Sequence, residues 1–106
     1  MDRIAQLESF LEEDPDDAFT RFALAQEHLK QEDLDAAQSY FEALVDEQPD
    51  YVGTYYHLGK LYERRGHTEQ AISTYEQGIE VARTQRDRKN LSELQDALLQ
   101  AKGVGF

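Results

Sequence analysis

Shifted by 34 residues, the chain matches itself. Leu24 falls on Leu58, Phe22 on Tyr56 and Ala25 on Gly59. Ala37 falls on Ala71, Phe41 on Tyr75 and Val45 on Ile79, while Pro15 and Asp16 fall on Pro49 and Asp50. The matched residues agree in size and apolarity and stand at helical spacing. Shared charge alone would not also align the prolines. A period of this length constrains the fold more than any local signal, because one such unit cannot bury its own apolar face and must stack on copies of itself. Asp16 to Arg83 is therefore one pattern written twice, and the flanking segments read as caps.

The second unit spells Tyr55-x2-Leu58-Gly59-x2-Tyr62 and then Ala71-x3-Tyr75. The first spells Arg21-x2-Leu24-Ala25-x2-His28, then Ala37-x3-Phe41, then Pro49. This resembles the tetratricopeptide repeat, with its period of about 34 residues and its bulky, small, aromatic and closing-proline positions. The departures are Arg21 at the bulky aromatic position, His28 at the tyrosine position, and Arg83 where the closing proline would stand. The last suggests that the final helix of the second unit runs on. The resemblance implies an all-α fold, an α-α superhelix of helical hairpins with about six helices and a concave groove. Physically, two helices of a hairpin approach closely only where side chains are short, so Ala25 or Gly59 is expected to face Ala37 or Ala71.

At 106 residues the chain reads as one domain with a modest core. Residues 2–14 read as an N-terminal capping helix, with Ile4, Leu7, Phe10 and Leu11 on one stripe. Residues 16–49 are the first repeat, with Asp16 and Asp33 as candidate N-caps. Residues 50–83 are the second, with a helix from Asp50 to about Arg65, Gly66 at its end, and Thr68 as the next cap. Residues 87–101 read as a C-terminal capping helix led by Asp87 or Asn90, with Leu91, Leu94 and Leu98 on one face. From Gly103 onward a frayed tail is expected.

The formal net charge is −11, which works against nucleic acid and against anionic membranes. The charge is uneven: residues 1–50 hold 15 acids and 3 bases, residues 51–106 hold 7 acids and 8 bases. Such asymmetry suggests an oriented partner. Solubility is one reading of the acidity; a halophilic host is another, to be tested by melting across a salt series. No apolar run approaches the length of a membrane span, and the N-terminus lacks a secretory core, so a cytoplasmic protein is the default expectation.

No catalytic constellation is written in the chain, and an enzyme is not expected. His28, His57 and His67 form no metal-binding spacing, and Gly53, Gly59, Gly66 and Gly78 form no phosphate loop. Neither metal nor cofactor is expected. The resemblance implies instead a scaffold that holds a partner protein or peptide in its groove, lined by the first helix of each pair. On the helical wheel the faces left after core packing carry Phe19, Phe22, Gln26 and Lys30 in the first repeat and Tyr56, His57, Lys60 and Arg64 in the second. Aromatics beside cations suit a peptide with apolar anchors and carboxylates. Packing between helices is the competing reading for Phe22 and Tyr56. The lysine and asparagines with which some members clamp a C-terminal carboxylate are not matched, since Phe22, Gln26 and His57 stand there. A homodimer through the terminal helices is the alternative function, because two repeats fall short of the roughly three that usually suffice for stability.

Overall fold

The structure is a computed structural model and describes residues 2–103. Among the described residues it holds six α-helices and no strand. These are α1 (Arg3–Glu13), α2 (Ala18–Lys30), α3 (Leu34–Glu47), α4 (Gly53–Arg64), α5 (Thr68–Gln85) and α6 (Arg88–Ala101). The expected frayed tail beyond Gly103 lies outside the described residues. The chain divides into two compact units, Met1–Tyr51 and Val52–Phe106. In unit 1, α2 packs against α1 and α3. In unit 2, α4, α5 and α6 pack on one another.

Acids start four of the helices. Asp2 accepts from the Ala5 N–H at 2.8 Å, Asp33 from Ala36 at 3.2 Å and Asp87 from Asn90 at 3.1 Å. Each contact satisfies a backbone donor that the helix cannot satisfy itself. For α2 the cap is Asp17, not the expected Asp16; its carboxylate accepts from both the N–H and the hydroxyl of Thr20. Asp50 does not start α4. The Tyr51 N–H turns back to the Gln48 carbonyl at 3.1 Å, and the helix begins only at Gly53, after Val52, with no side-chain cap. Thr68 is likewise inside α5 rather than capping it, and His67 precedes it without a capping bond.

The turns between paired helices are the same device three times over. After α2 the Asp33 N–H reaches the His28 carbonyl at 2.9 Å and the Glu32 N–H reaches that of Leu29 at 3.0 Å. After α4 the His67 N–H reaches Tyr62 at 2.8 Å and the Gly66 N–H reaches Glu63 at 3.0 Å. After α5 the Asp87 and Arg86 N–H groups close on Ala82 and Arg83 in the same way. This closure places one residue in the left-handed region. Glu32 (φ 62°), Gly66 (φ 81°) and Arg86 (φ 56°) occupy it. With no proline at 83, α5 continues to Gln85, four residues longer than α3 at 18 against 14.

Leu7, Ala23 and Leu24 form the centre of one cluster in unit 1, with Ile4, Leu11 and Tyr40 packed on it. Arg21, at the bulky aromatic position, is largely buried. It donates from Nε to the Pro15 carbonyl at 3.0 Å and pairs with Glu47 at 3.0 Å, fastening the start of α2 to the end of α3. Its counterpart in unit 2, Tyr55, is buried. The close approach of α4 and α5 differs from the expected small-on-small contact. A Cβ added to Gly59 would stand 2.2 Å from the Tyr75 ring, and one added to Gly78 would stand 2.5 Å from the Tyr55 Cβ. Each glycine is thus seated under a tyrosine rather than an alanine.

Candidate functional site

In unit 1 the first-helix face carries residues of unequal standing. Phe22 is half-buried and packs edge-on against Phe41, ring centroids 5.9 Å apart, and against Tyr51 at 5.5 Å. Aromatic pairs at such separations strengthen a core beyond the area they bury, so Phe22 has a packing role. Gln26 is half-buried. Phe19 stands out to solvent, 61% exposed, in the first turn of α2. His28 is engaged locally, stacked on Tyr40 and 3.7 Å from the Asp33 carboxylate.

In unit 2 the residues converge. Tyr56 and Lys60 are one turn apart on α4, and the Lys60 ammonium lies 5.5 Å from the centroid of the Tyr56 ring. Such a contact contributes on the order of 0.5–1 kcal/mol at an exposed site. Lys60 also stands 3.8 Å from Glu63, too far for a hydrogen bond. The same Glu63 oxygen accepts a hydrogen bond from the buried Tyr75 hydroxyl, and its second lone pair remains open to Lys60. Burial first, and then that bond, push the Tyr75 phenol well above the ordinary tyrosine range. His57 meets the Tyr56 ring edge-on at 5.6 Å. Burial lowers its imidazole below the usual histidine value, while the Glu93 carboxylate works in the opposite sense. Arg64 lies exposed in the last turn of α4.

Tyr56 and Lys60 form one wall of a cleft of about 210 Å³. The other wall is α6, through Glu93, Asp96, Ala97 and Gln100. None of these four α6 residues was singled out in the sequence, and neither were Glu63 and Tyr75 as a pair. One signal was available for Glu93 and Asp96: spaced by three, they share one face of a helix. Among the described residues no group of three or more His, Asp or Glu is placed to hold a metal ion. No described helix is long and apolar enough to cross a membrane.

The architecture, a run of antiparallel helix pairs with 34-residue spacing, defines a helical-repeat protein. A tetratricopeptide repeat family model matches residues 28–98, and the chain belongs to that family. It is 64% identical to a tetratricopeptide repeat domain protein from Salinibacter ruber, whose crystal structure superposes with a TM-score of 0.81 over 83% of this chain and 99% of that one. The solution structure of a Bordetella parapertussis protein is 27% identical, with a TM-score of 0.80 over 96% of this chain and 89% of that one. A TPR repeat-containing protein of Pseudomonas aeruginosa is 30% identical over 91 residues, 86% of this chain and 87% of its own length. Proteins of this family generally serve as non-catalytic scaffolds that mediate protein–protein interaction.

Proposed function

We propose that the chain is a cytoplasmic scaffold that binds a segment of a partner protein on the first-helix faces of its repeats. The residues offered are Phe19, Phe22 and Gln26 in unit 1 and Tyr56, His57, Lys60 and Arg64 in unit 2. The observation that carries the reading is the Tyr56–Lys60 pair. It stacks a cation on a half-buried ring at the edge of a cleft, an arrangement the core of unit 2 does not need. Aromatic and cationic anchors beside a concavity are what dominate binding at such surfaces. Phe22 contributes mainly by packing, so its truncation destabilises unit 1 as well as weakening binding. The test is capture from native lysate with wild-type bait against Tyr56→Ala and Lys60→Ala, with helicity checked by circular dichroism. Loss of at least ten-fold in retained partner with melting unchanged supports the reading. Unfolding of both variants removes these residues from the binding face.

Self-association is the second reading, favoured by one observation. The terminal helices leave large apolar side chains in solvent, Phe10 on α1 at 55% and Leu99 on α6 at 48% exposure. Leu94 is not available to a second copy, because it lies fully buried against the α5 side of its own unit. Sedimentation over a hundred-fold concentration range decides: a monomer throughout removes this reading.

A further inference from the structure

The α4–α6 cleft is a mixed electrostatic environment with an acidic balance. Tyr56 and Lys60 face Glu93, Asp96 and Gln100 across a floor set by the small side chain of Ala97. Among the described residues neither Glu93 nor Asp96 forms an ion pair with a lysine or arginine. Lys60 is committed to its own wall, over the Tyr56 ring and toward Glu63. The cleft, of about 210 Å³, is open to solvent on one side. It has room for a long side chain laid along it.

From this geometry we infer that the cleft is a subsite for an arginine side chain of the bound partner segment. The inference rests on the scaffold reading above and adds the residue it selects. A guanidinium is planar, donates a fork of N–H groups and stacks on aromatic faces, which lets it use the Tyr56 ring and the two carboxylates together. Glu93 and Asp96, three apart on α6, accept from the fork, and the Gln100 carbonyl oxygen is a third acceptor. Lys60 has somewhere to go: a small swing away from the ring closes its 3.8 Å gap to Glu63. The incoming cation thus replaces Lys60 on the ring, while Lys60 completes an ion pair within its own helix. Residues 51–106 balance 7 acids with 8 bases, so the attraction for a cation is local and comes from Glu93 and Asp96 rather than from the charge of the whole chain. A glutamate-bearing segment would meet Lys60 but would face two carboxylates without a lysine or arginine partner on the opposite wall.

The experiment is a titration of isotope-labelled protein, followed by amide chemical shifts, with three blocked five-residue peptides, Ala-Phe-X-Phe-Ala. X is arginine, citrulline or glutamate; citrulline keeps the shape of arginine without its charge. Shifts centred on Tyr56, Lys60, Glu93, Asp96 and Gln100 are expected with arginine, at least ten-fold weaker with citrulline and absent with glutamate. Glu93→Gln with Asp96→Asn, both exposed positions, is expected to abolish the difference between arginine and citrulline and leave the spectrum folded. Equal binding of arginine and citrulline peptides overturns the arginine inference and leaves the scaffold reading standing. Preference for glutamate overturns it also. If none of the peptides moves α4, the inference fails, and the scaffold reading is then decided separately by the capture experiment.

Discussion

Thr20 and Thr54 occupy the same place in the two repeats, and among the described residues only the first has a hydrogen-bond partner for its hydroxyl. Thr20 bonds to the Asp17 cap, whereas Thr54, 1% exposed, has Tyr51 at the position where Asp17 stands in the first repeat, and its Oγ1 is unsatisfied. The second helix pair differs from the first in the opposite sense at Tyr75, where a polar contact is gained. Phe41 is a fully buried apolar ring. Its counterpart Tyr75 lies over Gly59, and its hydroxyl reaches Glu63, which replaces Leu29. Three changes thus go together: the glycine admits the ring, the ring carries a hydroxyl, and the hydroxyl finds a carboxylate. One template tolerates an apolar and a polar solution at the Phe41/Tyr75 position, where the added hydroxyl has its partner, while at Thr54 a buried hydroxyl is carried without one.

The largest effect expected from breaking this comparison is at Gly59. Gly59→Ala drives a Cβ into the Tyr75 ring, which is held by its own hydrogen bond and cannot retreat. A loss of about 2–3 kcal/mol is expected in urea unfolding. Adding Tyr75→Leu, whose shorter side chain can move, should make the double variant less damaged than the two single losses combined. The mirror change Ala25→Gly costs about 1 kcal/mol, from helix propensity and lost packing.

Tyr75→Phe removes the bond to Glu63, which stays partly in water and rehydrates, so about 1 kcal/mol is expected. Its signature is in alkali. Tyr75 holds its proton to a higher pH folded than unfolded. Below the ordinary tyrosine value near 10 both states are protonated and stability is level. Above it the unfolded chain releases its proton first, so stability falls with rising pH. Tyr40 and Tyr51, also raised chiefly by burial, contribute to that fall. Tyr75→Phe should make the fall shallower without abolishing it, as read from urea midpoints between pH 9 and 11.

The paired threonines give opposite signs. Thr20→Val removes a used hydroxyl and is expected to destabilise by about 1 kcal/mol. Thr54→Val removes a hydroxyl that is buried without a partner and should be neutral or stabilising by up to about 1 kcal/mol. The smallest effect is at the turns. Glu32→Gly relieves a left-handed non-glycine residue and should raise stability by about 0.5 kcal/mol, while Gly66→Ala should lower it by about as much or a little more. Thermal melts of the two variants moving in the same direction would falsify this account of the turns.

The period made the six helices and the hairpin pairing legible, because apolar positions recurring every three or four residues have one geometric meaning. It also carried the run-on of α5, since Arg83 leaves nothing at that point to stop a helix. The Tyr75–Glu63 bond was hidden by the same matching. Tyrosine aligned with phenylalanine reads as another apolar ring, and one glutamate among 22 acids carries no signal. The start of α4 was misplaced because Asp50 has the chemistry of a cap, while the competing Tyr51–Gln48 turn depends on backbone geometry after Pro49. Of the candidate site, Tyr56 and Lys60 could be placed by register. Glu93, Asp96 and Gln100 could not, because α6 lies beyond the second full repeat and its register on α4 follows from the extra length of α5.

The missing cap at α4 has a consequence for the order in which the fold opens. A helix's first amides have no carbonyl of their own to bind, and in α2 the Asp17 side chain holds that turn closed. In α4 no side chain does so, and the Tyr55 N–H closes on the Val52 carbonyl only at a long 3.4 Å, so the amides of Gly53 and Thr54 should exchange with solvent hydrogen through local fraying, well before the unit unfolds. Exchange then advances along α4 toward Tyr56. A ligand seated on Tyr56 would slow it from two and three residues away, which makes the protection of those two amides a sensitive reporter of occupancy.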